Sequence, residues 1–238
     1  MNEAILTCYE LAASCLPSTI VATVLLRKTR RKPRLRELTG IAFFVAYITA
    51  VLHITGAGTL PGGMHRGMPR LEQCNFIPFL NGTDPLQCLL NVALFVPFGC
   101  FLATAFNRKA SALNDRKAAD SGKRPANRRE RTAAYLTKAA LIGFAFSLAI
   151  EASQLLTNRV FDVDDLIMNT FGAAMGCAMA LIGMRIRQSD FRRETALVNA
   201  EPKKPSTIAA LVGITAAVFL GRFLLFDEMG AAAMLYGF

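Results

Sequence analysis

Residues Ile150–Gly176 read IEASQLLTNRVFDVDDLIMNTFGAAMG, and this stretch decides the fold because it places a charged turn between two apolar runs. The turn and its edges carry one Glu, three Asp and one Arg. The flanking runs, Ala139–Leu156 and Leu166–Met184, approach the length of about 20 residues with which a helix crosses a hydrocarbon core. Since few residues connect them, we expect two antiparallel neighbouring transmembrane helices.

The same pattern of apolar runs separated by charge continues along the whole chain. Of its 238 residues, 53% are apolar, and a soluble core would divide them into shorter segments with more internal polar residues. The pattern therefore predicts an all-α fold, a polytopic transmembrane helix bundle with about six spans in the cell membrane. The remaining predicted spans are Ala4–Leu26, Leu38–Thr55, Leu86–Phe106 and Thr207–Phe226.

The basic residues predict the orientation of these spans. Three segments, Arg27–Glu37, Asn107–Arg131 and Arg185–Lys204, hold 22 of the 27 Lys and Arg residues. Short basic segments stay on the cytoplasmic side, so these three are predicted to be cytoplasmic loops and both termini to lie outside. Asn107–Arg131 is polar and rich in small residues, as mobile loops are. The net charge of +10 thus reflects topology, and no aromatic interleaving or motif accompanies it that would indicate nucleic-acid binding.

On this topology the unusual polar residues collect on the extracytoplasmic side. Residues three or four apart share one face of a helix, which gives one polar stripe at the end of the fourth span and another at the start of the fifth. Asn75 and Asn91 are predicted to join this cluster from the segment before the third span and from its first turns. The stripe residues are Glu151, Gln154, Asn158, Asp162, Asp165, Asn169, Gly172 and Gly176.

Several of these residues also admit a structural interpretation. Gly172 and Gly176 form a small-residue face typical of helix packing, and an asparagine within a span is commonly an interhelical hydrogen-bond partner. Glu151 favours a functional interpretation, because an unpaired carboxylate near the membrane costs a few kcal/mol. Its expected partner is Arg159 or Arg70.

Arg222, near the end of the sixth span, is expected either to snorkel outward or to pair with Glu151 or Asp227. His53 lies at the outer end of the second predicted span, and the predicted polar cluster does not account for a histidine there. Of the six cysteines, Cys74 and Cys88 both fall on the outer side. Their spacing permits a disulfide, and packed free thiols are the favoured interpretation.

Three blocks of this sequence resemble the VanZ-like family of bacterial membrane proteins. They are NFIPF (75–79), NVALFVPFG (91–99) and EASQLLTNRVFDVDDLIMNTFGAAMG (151–176). The resemblance implies a four-helix domain over 38–184, with an added helix and basic loop at 1–37 and another at 185–238. The motif positions that carry over are Asn75, Pro78, Asn91, Pro97, Gly99, Glu151, Gln154, Arg159, Asp162, Asp165, Asn169, Gly172 and Gly176.

The resemblance implies a polytopic protein of the bacterial cell envelope. The family's name-giving member confers low-level antibiotic resistance, to the glycopeptide teicoplanin, but relatives occur far outside resistance clusters, so the resemblance does not by itself transfer resistance to this chain. Two function classes follow for this chain. The first is a non-enzymatic protein, embedded in the lipid bilayer, that binds a lipid-linked or acylated ligand at the outer leaflet. Its expected ligand-binding residues are Asn75, Asn91, Glu151, Gln154, Arg159, Asp162, Asp165 and Asn169.

The alternative is a membrane-embedded enzyme acting on a lipid-linked envelope substrate. Glu151 and Asp165 are its candidate catalytic acid and base, since two carboxylates with separated pKa values can divide those roles. Its clustered carboxylates also offer oxygen ligands to a divalent metal, and the two histidines, His53 and His65, offer nitrogen ligands to zinc. No nucleophile-and-base pattern is present, so the first class is favoured and neither a metal nor a cofactor is expected.

Overall fold

The computed structural model of the chain describes residues 2–27, 35–57, 74–79, 82, 84–120, 128–155, 161–191 and 207–225. Within these ranges the secondary structure comprises helices and one isolated β-bridge, which confirms the all-α fold class. The helices are α1 (Asn2–Arg27), α2 (Leu35–Thr55), α3 (Pro85–Asp120), α4 (Arg128–Leu155), α5 (Val163–Phe191) and α6 (Thr207–Leu225).

Five of these helices are long and apolar enough to cross a membrane, so the chain is a multi-pass membrane protein. The corresponding spans of α2 to α6 are Leu38–Thr55, Pro85–Asn107, Arg129–Leu155, Val163–Ile186 and Ile208–Leu225. The sixth predicted span, in α1, is shorter than expected, because its continuous apolar part is Cys8–Val24. α1 itself has 26 residues, or about 39 Å at 1.5 Å per residue.

Helices α3, α4 and α5 extend by several residues beyond the predicted spans into polar sequence. α3 continues to Asp120 and α4 begins at Arg128, where the sequence analysis placed a loop over Asn107–Arg131. The polar composition of this segment suggested a loop, but its Ala, Lys and Arg residues are good helix formers in water. A helix need not end where the hydrocarbon ends, so hydropathy locates the span and not the helix terminus.

The described residues fall into two compact units. Unit 1 comprises residues of Met1–Leu80, Leu148–Val163 and Ala209–Phe238, and unit 2 comprises residues of Asn81–Ser147 and Asp164–Ile208. Unit 1 therefore contains α1, α2, most of α6 and the C-terminal end of α4. Unit 2 contains α3, most of α5 and the rest of α4.

Large apolar side chains fill the interior of each unit and also cover the outside of its helices. Phe44, Ile48 and Leu52 are fully buried in unit 1. Exposed large side chains are numerous in both units, among them Phe43 and Leu141. A soluble protein rarely leaves so much apolar surface in water, whereas lipid accepts it.

Unit 2 depends on small residues at the contact between α3 and α5. A Cβ on Gly176 would overlap the carbonyl oxygen of Val96, and a Cβ on Gly99 would overlap the carbonyl oxygen of Ala173. Close backbone approach of this kind is how helices associate in lipid, where hydrophobic burial gives no driving force. The small-residue face of α5 therefore packs on α3, in agreement with its structural interpretation.

Candidate functional site

Asn75 joins the segment before α3 to the start of α5 within unit 1. Its N–H donates to the Phe161 carbonyl at 2.9 Å, and its own carbonyl accepts from the Val163 N–H at 3.0 Å. Its side-chain Nδ2 donates to Asp162 Oδ1 at 3.0 Å. The rings of Phe76 and Phe161 stack beside these bonds, with centroids 5.4 Å apart. Asn75 thus fixes the lead-in to α5 from three polar groups at once.

The residues after Asn75 form a turn that exposes apolar side chains. Asn75 Oδ1 accepts a hydrogen bond from the Ile77 N–H at 3.3 Å. Phe79 has φ 61°, a left-handed conformation that is uncommon for a residue other than glycine. Phe76, Ile77 and Phe79 are all exposed. The NFIPF motif therefore places a constrained turn with three outward apolar groups next to the lead-in to α5.

Glu151 lies one turn before the end of α4, and it is only 1% exposed. Its Oε2 accepts a hydrogen bond from the backbone N–H of Asp162 at 3.1 Å. Asp162 directly precedes α5, so the carboxylate sits at a helix N-terminus, where the free amides and the macrodipole favour negative charge. Asn75, Asp162 and Glu151 are thereby linked in series.

Gln154 ties the same end of α4 to the end of α2. Its Nε2 donates to the carbonyl oxygen of Thr55 at 2.9 Å. Thr55 is the last residue of α2, and the terminal carbonyls of a helix have no partner within the helix. Gln154 therefore caps α2, and we call Asn75, Glu151, Gln154 and Asp162 the unit 1 network.

A second charged cluster in unit 1 was not predicted. Arg222 of α6 is 3% exposed; its Nη1 donates to the buried carboxylate of Glu10 on α1, and its Nε donates to the Ala57 carbonyl at 2.8 Å. His53 Nδ1 lies 2.8 and 2.9 Å from the two Glu10 oxygens. The expectation that Arg222 snorkels outward is wrong, because a buried carboxylate on another helix neutralises it.

One sequence signal for this cluster was available. Glu10 and Arg222 are opposite charges inside otherwise apolar runs, and such residues usually pair with each other or face a cavity. The two are 212 positions apart, so the sequence alone offered several partners for each.

Unit 2 holds two further predicted residues together at the start of α5. Asn91 of α3 donates from Nδ2 to Asp165 Oδ1, and Gln87 donates from Nε2 to Asn91 Oδ1 at 3.3 Å. Asn91 is buried and Asp165 is partly buried. The Asn91–Asp165 bond therefore joins α3 to α5 through a buried amide and a partly buried carboxyl group.

Asn169 occupies an interhelical position in unit 2. Its Nδ2 donates to Ser147 Oγ of α4 at 3.0 Å, and both side chains are buried. Its Oδ1 is buried without a hydrogen-bond partner in the described residues. The bonded half of the amide fits the predicted helix–helix hydrogen bond, while none of the residues that the structure describes donates to the oxygen.

Some predicted residues fall outside the described ranges, namely Arg159, Arg70, His65 and Asp227. Within the described ranges, no group of three or more His, Cys, Asp and Glu residues is placed to hold a metal ion. All six cysteines, including Cys74 and Cys88, carry free thiols.

Comparison with known proteins assigns the chain to a family. The VanZ/LLP1 family model matches residues 16–184, which is well over half of the chain. No curated protein and no solved structure gives a match. The chain belongs to the VanZ/LLP1 family, and the match includes the unit 1 network but neither Glu10 nor Arg222.

Proposed function

We propose that this member of the VanZ/LLP1 family is a bacterial cell-envelope protein whose unit 1 network binds the polar part of an amphiphilic or lipid-linked ligand. Its cellular effect is low-level resistance to teicoplanin, a glycopeptide that carries an acyl chain. Arg159 is a further proposed ligand-binding residue, and Asn91, Asp165 and Asn169 of unit 2 are proposed as ligand-binding residues within that unit.

The buried carboxylate of Glu151 carries this proposal. A charged group within a transmembrane helix costs about 2.5–3.5 kcal/mol near the bilayer centre and less towards the interface. Here the carboxylate lies at the end of α4, where the backbone N–H of Asp162 offsets part of that cost. A carboxylate accepts about four hydrogen bonds, so Glu151 can bind a donor on a ligand in addition to its partners within the protein.

The orientation is part of the proposal. With the three basic segments in the cytoplasm, the ends of α2 and α4 and the start of α5 lie on the extracytoplasmic side. α1 then completes a sixth span and both termini lie outside. An outer-leaflet site reaches an acylated glycopeptide or a lipid-linked envelope precursor without requiring transport across the membrane.

The enzymatic alternative keeps Glu151, in unit 1, and Asp165, in unit 2, as candidate catalytic carboxylates for a lipid-linked substrate, each within its own unit. It makes a different prediction from binding alone. Substitution of a catalytic carboxylate should stop turnover, while the substrate should still bind. Mixing purified protein with a lipid-linked precursor and following its chemical change by mass spectrometry separates the two functions.

The proposal is tested with Glu151→Gln in a sensitised bacterial host. The amide keeps the shape of the side chain and an acceptor for the Asp162 N–H, so we expect a normal amount of protein in the membrane and a loss of teicoplanin resistance. Glu130→Gln, at an exposed position of the same helix, is the matched control and should keep both. A glycopeptide without an acyl chain should show no difference among the three strains.

Quantitative blotting of membranes decides between site and brace. If Glu151→Gln removes the protein from the membrane, Glu151 acts as a structural brace and the binding role is wrong. If the wild-type protein leaves teicoplanin susceptibility unchanged, the resistance role is wrong for this chain.

A further inference from the structure

An open groove runs between α1 and α2 in unit 1. Its volume is about 570 Å³, which lies within the range of about 300–1,000 Å³ that small-molecule sites occupy. Aliphatic side chains such as Leu11, Ile41 and Val45 form most of its walls. Both helices carry apolar spans, so in a bilayer the groove opens onto hydrocarbon and not onto water. A hydrocarbon chain is the ligand that such walls accept.

One end of the groove is polar and its chemistry is fixed by Glu10. The ionised Glu10 carboxylate only accepts hydrogen bonds, so His53 Nδ1, at 2.8 Å, must carry the proton. The His53 side chain is 62% exposed, and its other ring nitrogen, Nε2, is an acceptor in the neutral imidazole. Arg222 Nη1 contacts Glu10 Oε1 and neutralises the carboxylate. This end of the groove therefore offers acceptors to a headgroup that carries N–H or O–H donors.

Thr49 supplies an independent indication of a ligand in the same groove. It lines the groove and is 4% exposed, yet its Oγ1 has no hydrogen-bond partner among the residues that the structure describes. By contrast, the hydroxyls of Thr19 and Thr23 in the same groove each donate to a carbonyl of their own helix. A buried hydroxyl without a partner is unfavourable, and a rotation about χ1 that turns Oγ1 into the groove would let an acceptor on a ligand remove that cost.

The spacing of these two polar positions matches the polar boundary of a lipid. Thr49 precedes His53 by four residues, so the two share a helix face and lie about 6 Å apart along α2. The headgroup region of a bilayer is about 5–8 Å thick on each side, and the ester carbonyls lie beneath it. A lipid whose headgroup reaches His53 would thus place an ester carbonyl near Thr49 and its acyl chain among the aliphatic walls.

We propose that this groove binds one acyl-ester membrane lipid whose headgroup carries hydrogen-bond donors. The Thr49 hydroxyl donates to an ester carbonyl, and His53 Nε2 accepts from the headgroup. Glu10 and Arg222 are positioning residues that hold the imidazole in this tautomer. Glu10 and Arg222 lie outside the residues that the family model matches, whereas Thr49 and His53 lie within them. Lipid binding here is independent of the unit 1 network and of any resistance phenotype.

The test uses the purified full-length protein and two probes with identical acyl chains. Phosphatidylethanolamine carries N–H donors in its headgroup, whereas phosphatidylcholine carries none. Native mass spectrometry after exchange into an equal mixture of the two should show that the wild type retains phosphatidylethanolamine preferentially. Equal retention of both lipids by the wild type would overturn the headgroup assignment and, with it, the proposal.

Two substitutions separate the ester contact from the headgroup contact. Thr49→Val should weaken retention of both lipids by about fivefold, the factor that one neutral hydrogen bond gives. His53→Phe should abolish the preference between the two headgroups. Thr19→Val is the matched control, because that hydroxyl is already bonded within α1, and it should leave lipid retention unchanged.

The thermal stability of the delipidated protein distinguishes a ligand contact from a structural one. Since no described residue accepts from Thr49 Oγ1, Thr49→Val should unfold at the same temperature as the wild type or higher. A lower unfolding temperature together with unchanged lipid retention would show that the hydroxyl serves the fold, and the proposal would be wrong.

Discussion

The substitution Arg222→Met tests whether the buried ion pair with Glu10 holds α6 to α1. Methionine is apolar, flexible and of similar length, so it fills most of the space without leaving a large cavity. The two side chains are 3% and 9% exposed, so solvent screens their interaction very little. The change also removes the bond of 2.8 Å from Arg222 Nε to the Ala57 carbonyl.

The magnitude follows from the charge that is left behind. Removing one partner of a buried pair costs about 3–5 kcal/mol of unfolding free energy. His53 Nδ1 remains on Glu10 after the change, so we expect the lower end, about 3 kcal/mol. Glu10→Gln leaves a buried guanidinium that still has the Ala57 carbonyl, and we expect about 2 kcal/mol. The double substitution leaves no uncompensated buried charge at these two positions, so it should cost less than the sum of the two single substitutions. We expect a coupling free energy of at least about 2 kcal/mol.

Reversible unfolding of the full-length protein in mixed micelles, titrated with a denaturing detergent, measures the four variants of this cycle. Arg185→Met is the matched control: Arg185 is exposed and bonds Thr132 at 2.7 Å, so its loss should cost less than about 1 kcal/mol. Additive effects of Glu10→Gln and Arg222→Met, within about 0.5 kcal/mol, would refute the pairing of α1 with α6 through these charges.

Two further predictions concern unit 2 and use the same unfolding assay. Gly176→Ala should destabilise the protein by more than about 2 kcal/mol, because its Cβ would overlap the Val96 carbonyl. Gly183→Ala, on the same helix with open space around it, should be neutral or slightly stabilising. Equal effects of the two substitutions would contradict the α3–α5 contact. Ser147→Ala should cost about 1–3 kcal/mol because it leaves the buried Asn169 amide without its acceptor, and an unchanged stability would show that the bond of 3.0 Å contributes nothing.

The helices were predictable because each depends on its own local sequence. A run of apolar residues long enough for the bilayer forms a helix wherever it occurs, since lipid offers no partner to unpaired backbone groups. The predicted span Leu38–Thr55 lies within α2, which runs from Leu35 to Thr55. The helical extensions were missed for a related reason, because α3 beyond Asn107 is held by helix propensity in water and carries no hydropathy signal.

The candidate site was predictable where polar residues lie at the two ends of one short turn. Glu151 and Asp162 are separated by 11 positions. Glu151 lies near the end of α4 and Asp162 directly precedes α5, so the spacing of the polar residues predicts that they meet there. Asn75 could be placed near them only through the family motif, because 87 positions separate it from Asp162. The motif thus supplied what spacing could not.

By itself, the sequence determined that the chain is helical, that it crosses the membrane several times and that it belongs to its family. Only the tertiary structure decided which partner each buried charge takes. Arg222 had several candidate carboxylates in the sequence and meets Glu10, together with His53, at the end of a groove that no linear pattern indicates. The physical reason is that hydropathy belongs to a single segment, whereas a partner is chosen by the way that helix faces pack.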